Sequence, residues 1–279
     1  MCKNSSLHVI RPQLAASWTG ARLLVTMKLI LHRSITLHPN PISATARTNR
    51  SYISSSIHRE EAEKRKIELR VCTNRTCRRQ GSLDSLQVLS GIAPPHVAVT
   101  SCGCLGKCGT GPNLVVFPGA VFIKHCHTPA RAAETMSFFC LDQDYNDIEN
   151  ECRKCLEALE LRKAAEDEMA KGDFSNAYHL LSQAIDLKPF GGIHISYRNR
   201  SVARLTMGDS AEALLDANEA LSIAPSYSDA YICQGDAFMA MDKINAARNS
   251  YSVALDLDPS IRHSKSYMIR IAKLKEKYA

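Results

Sequence analysis

Four cysteines fall into two pairs, Cys72 and Cys77 spaced C-x4-C, and Cys104 and Cys108 spaced C-x3-C. Two thiolate pairs from separate loops are the ligand set of a two-iron, two-sulfide centre, in which each iron takes two protein sulfurs to complete its tetrahedron. The second pair lies in Cys104-Leu105-Gly106-Lys107-Cys108-Gly109-Thr110-Gly111-Pro112. Its glycines let the backbone wrap closely round a bulky ligand and aim amide groups at sulfur. The spacing leaves two other chemistries open. Four thiolates also make a structural zinc site, although zinc knuckles usually have two-residue gaps. Redox-active thiols are the other, but a C-x2-C at the first strand-to-helix junction is lacking.

The remaining cysteines and histidines read as structural. Cys102 lies two residues before Cys104, and its spacing to Cys108 does not fit the pair motif, so it is assigned to packing. Cys152 and Cys155 make a C-x2-C on a predicted helix with no second pair, a spacing that arises incidentally. His125, Cys126 and His127 follow a strand end and are weak ligand candidates. Cys140 and Cys233 are read as packing residues in helices. No Ser/His/Asp arrangement, phosphate-binding glycine loop or paired-carboxylate motif is present, which argues against hydrolysis and phosphoryl transfer, and an electron carrier or adaptor is expected before an enzyme.

The elements that must position the four thiols follow from local pattern. Ile67-Glu68-Leu69-Arg70-Val71 alternates apolar and polar residues as a half-buried strand does, and it runs directly into Cys72. Ser82–Gly91 has Leu83, Leu86 and Leu89 at spacing three and a closing glycine, which predicts a short helix. After Pro94-Pro95, Val97-Ala98-Val99 predicts a strand delivering the chain to Cys102 and Cys104. Leu114–Phe117 and Ala120–Lys124 predict a hairpin joined by Pro118-Gly119, and Pro129–Phe139 a helix. The order β-α-β-β-β-α puts both cysteine pairs at strand ends on neighbouring loops. Residues 141–156 are acidic and weakly patterned, and are read as a linker entering a helix.

Beyond the linker the chain repeats itself. Gly172-Asp173-Phe174, Gly208-Asp209-Ser210 and Met241-Asp242-Lys243 are corresponding turns. Each is followed by an alanine (Ala177, Ala213, Ala247) and by another seven residues later (Ala184, Ala220, Ala254). Each unit closes on a proline, Pro189, Pro225 or Pro259, at spacings of 36 and 34 residues. A period near 34 is the tetratricopeptide (TPR) signature: small alanines let paired helices approach, and the prolines stop the second helix. Three repeats and a final helix, Ile261–Tyr278, make the smallest stable stack with a polar cap.

Charge separates the N-terminus from the rest. Residues 1–59 hold eight Lys or Arg and no Asp or Glu, with many Ser and Thr, whereas residues 60–279 carry 27 basic against 28 acidic side chains. An acid-free, Arg-bearing, hydroxyl-rich leader is the profile of an organelle transit peptide, here assigned to the chloroplast with the mitochondrion as alternative; a disordered basic tail is the other reading. The near-neutral body offers no broad footprint for nucleic acid. The apolar run Leu23–Leu31 is interrupted and too short to span a bilayer, so no transmembrane segment is expected. Eleven cysteines without a secretory signal point to metal or redox work in an intracellular chain.

On its C-x4-C after the first strand and its Cys104-Leu105-Gly106-x-Cys108 before a Gly-Pro turn and hairpin, the segment 64–140 resembles the thioredoxin-like [2Fe-2S] ferredoxins and the related small subunit of respiratory complex I. That resemblance implies an α/β thioredoxin-like ferredoxin domain, with Cys72, Cys77, Cys104 and Cys108 ligating a [2Fe-2S] cluster used in electron or cluster transfer. Residues 157–279 resemble TPR adaptors, an all-α solenoid of three repeats plus capping helix. Together they imply an organellar iron–sulfur protein that is an accessory or assembly factor for a redox or photosynthetic complex, docking a protein client through the TPR groove. The alternatives are a non-catalytic scaffold whose ferredoxin-like domain lacks a cluster, or a thiol oxidoreductase. TPR domains that bind chaperones grip a peptide carboxylate with Lys and Asn. The corresponding places here hold Arg162, Glu166, Asn199, Asp229 and Cys233, so the clamp is expected to be broken by Glu166 and Asp229.

Overall fold

The computed structural model describes residues 66–141 and 145–277. The basic leader 1–59 lies outside the described residues. Four strands form one mixed sheet: β1 (Ile67–Cys72), β2 (Val97–Cys102), β3 (Leu114–Phe117) and β4 (Val121–Ile123). Their order is β2-β1-β3-β4, with β1 parallel to β2 and antiparallel to β3, and β3 antiparallel to β4. Cys72 pairs with Cys102, Val71 with Leu114, and Leu114 with Ile123, so these four strand ends share one end of the sheet.

Helices α1 (Arg75–Arg79), α2 (Ser82–Ile92) and α3 (Pro129–Cys140) complete this layer. The sequence pattern missed α1, which is too short for periodicity. It forms because the Asn74 side chain accepts the Arg75 backbone N–H at 2.6 Å, satisfying one of the free donors of the first turn. At α3 the Thr128 hydroxyl accepts from the Arg131 N–H at 3.1 Å, and Pro129 occupies the first turn where its missing donor costs nothing. The core joins Leu69, Val71, Leu114 and Val116 of the sheet to Leu89, Ile92, Ala132 and Met136 of the helices. Each large apolar side chain fully buried there contributes roughly 1.5–3 kcal/mol.

Helix α4 (Tyr145–Lys171) corrects the expectation of a linker over 141–156. Its first half is charged on one side only. Cys152, Cys155 and Leu159 turn inward and are buried in the sheet layer's core, and that burial holds as helix what reads in sequence as weakly patterned. Its second half begins the repeats, packing Ala165 against Ala177 and Leu181.

The repeats are α4 with α5 (Phe174–Asp186), α6 (Ile193–Met207) with α7 (Ser210–Ile223), and α8 (Ser228–Ala240) with α9 (Ile244–Leu257). All six alanines singled out by the period have no exposed surface. The third turn is shifted by one residue from the sequence alignment. Gly172, Gly208 and Asp242 all take left-handed backbone, with φ of 87°, 98° and 59°, so Asp242 and not Met241 stands at the glycine position. The expected final helix is also divided: a 3-10 turn Pro259–His263 precedes α10 (Lys265–Glu276), whose Ser264 hydroxyl accepts the Tyr267 N–H. Tyr267 and Leu274 of α10 close the stack against Tyr251. No helix among the described residues is long and apolar enough to cross a membrane.

Candidate functional site

Two sites emerge, one at the cysteine end of the sheet and one on the first helices of the repeats. At the sheet end, the last residue of β1 brings Cys72 and the buried face of α1 brings Cys77; both are fully buried. Cys104 and Cys108 lie on the exposed loop after β2, their sulfurs 3.7 Å apart, with the Gly106 N–H 3.4 Å from Cys104 Sγ. The two pairs are neighbours. The Leu105 backbone N–H favours the Cys72 thiolate, and the Thr76 side chain favours that of Cys108. Every cysteine among the described residues is a free thiol.

Asn113 holds this loop and escaped the sequence reading, since a single Asn after Gly-Pro carries no pattern. It is buried, and its Nδ2 donates to the Lys107 carbonyl at 2.7 Å and lies 3.9 Å from Cys77 Sγ. Its own backbone carbonyl accepts the Cys72 N–H at 2.9 Å. Gly111 is required here for a packing reason, because a Cβ would come within 2.9 Å of Cys77 Sγ.

The thiols differ electrostatically. Burial pushes Cys72 up, but N–H groups of Asn74 and Leu105 and the Cys77 thiol outweigh it, and the net direction is down. Burial dominates at Cys77 and raises it. Cys108 is raised by its hydrogen bond with Cys104 and by that neighbour's charge. Among the described residues no three or more His, Cys, Asp or Glu side chains gather as a ready-made site for one metal ion. His125 and His127 point to solvent while Cys126 is buried, its carbonyl accepting from Ser85. Cys152 and Cys155 belong to the core, where burial pushes the Cys155 thiol up to about 12. Cys233 is buried in α8, and Cys102 and Cys140 are half-buried.

On the repeats, α4, α6 and α8 line up side by side. Arg162 is buried at the junction with the sheet layer, donating to the carbonyls of Gly192 and Gly91, both at 3.1 Å. Asn199 donates to Glu166 at 2.9 Å and accepts from Arg198 Nη1 at 2.9 Å. Arg198 also pairs with Asp229 at 3.4 Å, while its buried Nε has no partner among the described residues. Arg198 went unnoticed in the sequence because it lies between two recognisable repeat positions.

No protein-family profile matches the chain. Heat shock protein STI1 of Saccharomyces cerevisiae is 30% identical over 104 residues, covering 37% of this chain and 18% of that protein. Serine/threonine-protein phosphatase 5 of Rattus norvegicus is 33% identical over 108 residues, 39% of this chain and 21% of that protein. The chain therefore spans about a fifth of the length of these curated relatives. Among solved structures, the first TPR of Spaghetti (RPAP3) bound to the HSP90 peptide SRMEEVD is similar at 24% identity and a TM-score of 0.39, covering 43% of this chain and 92% of that one. The C-terminal helices form a TPR domain, a protein-binding class of repeat, joined to a small mixed sheet.

The expectation of a broken carboxylate clamp is corrected. The two carboxylates that motivated it are not bare: Glu166 is held by Asn199, and lies 3.8 Å from Arg162, and Asp229 is paired with Arg198. A carboxylate already neutralised by a neighbour repels an incoming anion far less than its sequence position suggests.

Proposed function

We propose that this protein is a non-catalytic adaptor whose TPR groove docks the acidic C-terminal tail of a partner, of the kind carried by chaperones. The observation that carries this reading is the Arg198 guanidinium. It lies on the row of first helices beside Asn199, paired with Asp229 at 3.4 Å, and its buried Nε has no partner among the described residues. Buried, charge-assisted donors of this kind suit a carboxylate. The likeness to heat shock protein STI1 supports the same reading. Calorimetric titration of the full chain with SRMEEVD and with its C-terminal amide tests it. Binding of the free acid, weakened roughly tenfold or more by amidation or by Arg198→Ala, is expected. No binding of either form removes the tail from the proposal.

A second reading concerns the thiols. We read the sheet layer as thioredoxin-like, and Cys72, Cys77, Cys104 and Cys108 as ligands of a [2Fe-2S] cluster in electron or cluster transfer. The strand order with β1 parallel to β2 and a β3-β4 hairpin beside β1 supports the fold. Four thiolates are the donor chemistry such a group takes, and the exposed pair has a suitable spacing. A tetrahedron with metal–sulfur bonds of about 2.3 Å has an edge close to the Cys104–Cys108 separation of 3.7 Å. When bound, such a cluster would supply one-electron chemistry. The chain's own contribution is to hold two thiols buried and two exposed, with the Gly106 N–H 3.4 Å from Cys104 Sγ and the Leu105 N–H favouring the Cys72 thiolate. Anaerobic reconstitution with iron and sulfide should give visible charge-transfer absorption that Cys104→Ser abolishes. Its absence in the unaltered protein removes this reading and leaves the adaptor intact. An organellar location, chloroplast before mitochondrion, rests on the composition of residues 1–59, and imaging a fluorescent fusion of that leader tests it.

A further inference from the structure

The sheet layer is far more basic than the repeats. Residues 66–141 contain eight Lys or Arg and three Asp or Glu, whereas residues 145–277 contain 17 and 20. Two of the three acids are consumed locally, Glu68 by Arg70 at 2.8 Å and Glu134 by Arg131 at 3.2 Å. The third, Asp84, stands in the first turn of α2. Six cations remain, and five of them emerge at one end of the sheet: Arg75, Arg78 and Arg79 on α1, Lys107 on the loop after β2, and Lys124 after β4. All five are exposed, and none is in an ion pair among the described residues.

Their elements are tied into one surface. Asn113 binds the Lys107 carbonyl and touches Cys77 of α1, and the His125 N–H donates to the Thr110 carbonyl at 3.0 Å, fixing the end of β4 against the same loop. Lys107 Nζ is held 4.6 Å from the centre of the Phe122 ring. Cys104 and Cys108 are exposed at this same end.

We propose that this face is a second docking surface, separate from the TPR groove, and that it receives a carboxylate-rich surface of a partner protein over the exposed thiols. Like charges concentrated on one face with no internal partner raise the local potential and steer an oppositely charged partner. A protein partner is favoured over nucleic acid because the two partly exposed aromatics of the hairpin are already covered by cations. Phe122 lies under Lys107 and Phe117 under Arg70 at 4.7 Å, so neither ring face is free to stack a base. The inference rests on side-chain charges alone, so it stands whether or not the thiols hold a cluster.

The test is fluorescence anisotropy of a labelled decaglutamate peptide titrated with the full chain. The triple variant Arg75→Glu, Arg78→Glu, Arg79→Glu should bind roughly tenfold more weakly, and the difference should shrink as ionic strength rises above about 0.15 M. The double variant Lys107→Glu, Lys124→Glu should weaken binding in the same direction, and it serves if the triple variant does not fold. Arg47→Glu with Arg50→Glu, in the basic leader, should leave the affinity unchanged. Equal binding by the α1 and loop variants, or loss confined to the leader variant, overturns the proposal. So does a mixed-sequence single-stranded RNA that binds more tightly than the peptide through the same arginines.

Discussion

Arg162 Nη2 donates to the carbonyl oxygen of Gly91 at 3.1 Å, so a side chain of the first repeat terminates the second helix of the sheet layer. Nη1 of the same guanidinium binds the Gly192 carbonyl, and the Gly192 N–H donates to the Ala93 carbonyl at 3.2 Å. The close approach depends on glycine: at Gly91 a Cβ would come within 2.6 Å of Leu159, and at Gly191 it would overlap the Ile92 carbonyl. Sheet and repeats are thereby locked together, with α4 running through both.

Breaking this lock should be costly. Arg162→Met keeps the apolar stem but orphans two carbonyls, and hydrogen bonds from a charged donor contribute about 1.5–3 kcal/mol each. A fall in the urea midpoint corresponding to about 3 kcal/mol is expected, and an unchanged midpoint would show that the junction carries no stability.

Asp216 is the buried anion of the repeats. Its side chain is 3% exposed and accepts from Arg200 Nη2 at 2.7 Å and Nε at 2.9 Å, with Arg204 Nη1 at 2.9 Å. Asp216→Ala leaves two guanidinium groups without their shared partner, and removal of one side of a buried pair costs roughly 3–5 kcal/mol. Thermal unfolding followed by circular dichroism should register it, with Asp216→Asn intermediate; a variant as stable as the unaltered protein would contradict the role given to this carboxylate.

Stability should fall in mild acid because of His194. Burial, and then the nearby Arg162 charge, pull its pKa down from 6.5 to about 4. Between those values the unfolded chain takes up a proton that the folded chain refuses, so acid favours unfolding. The contribution is complete above the unfolded value and is lost as pH falls toward the folded one, about 3 kcal/mol in all. His194→Gln should flatten the stability profile between pH 6.5 and 4; an unaltered slope would assign the acid sensitivity elsewhere.

Periodicity made the repeats legible. The six alanines, the left-handed turns at Gly172 and Gly208, and the closing prolines are all consequences of local backbone and packing rules that act within one repeat. Strands β1 to β4 were legible for the same reason, since alternation and turn residues are local signals. The helix α1 was not, because five residues are too few for a period and its cap, Asn74, is a single residue. The linker expectation failed because α4 gains its first half from contacts with the sheet core, which charge pattern does not record.

From its order of residues alone, the chain determined a repeating helical stack, a small layer of strands before it, and two cysteine pairs that follow its first two strands. Only the tertiary structure decided that Glu166 is held by Asn199 and Asp229 paired with Arg198, that Arg162 faces the junction instead of a ligand, and that five cations with no ion pair among the described residues share one end of the sheet. The reason is physical. Backbone conformation follows from neighbours in sequence, whereas the charge a side chain presents depends on what folds beside it across tens of residues.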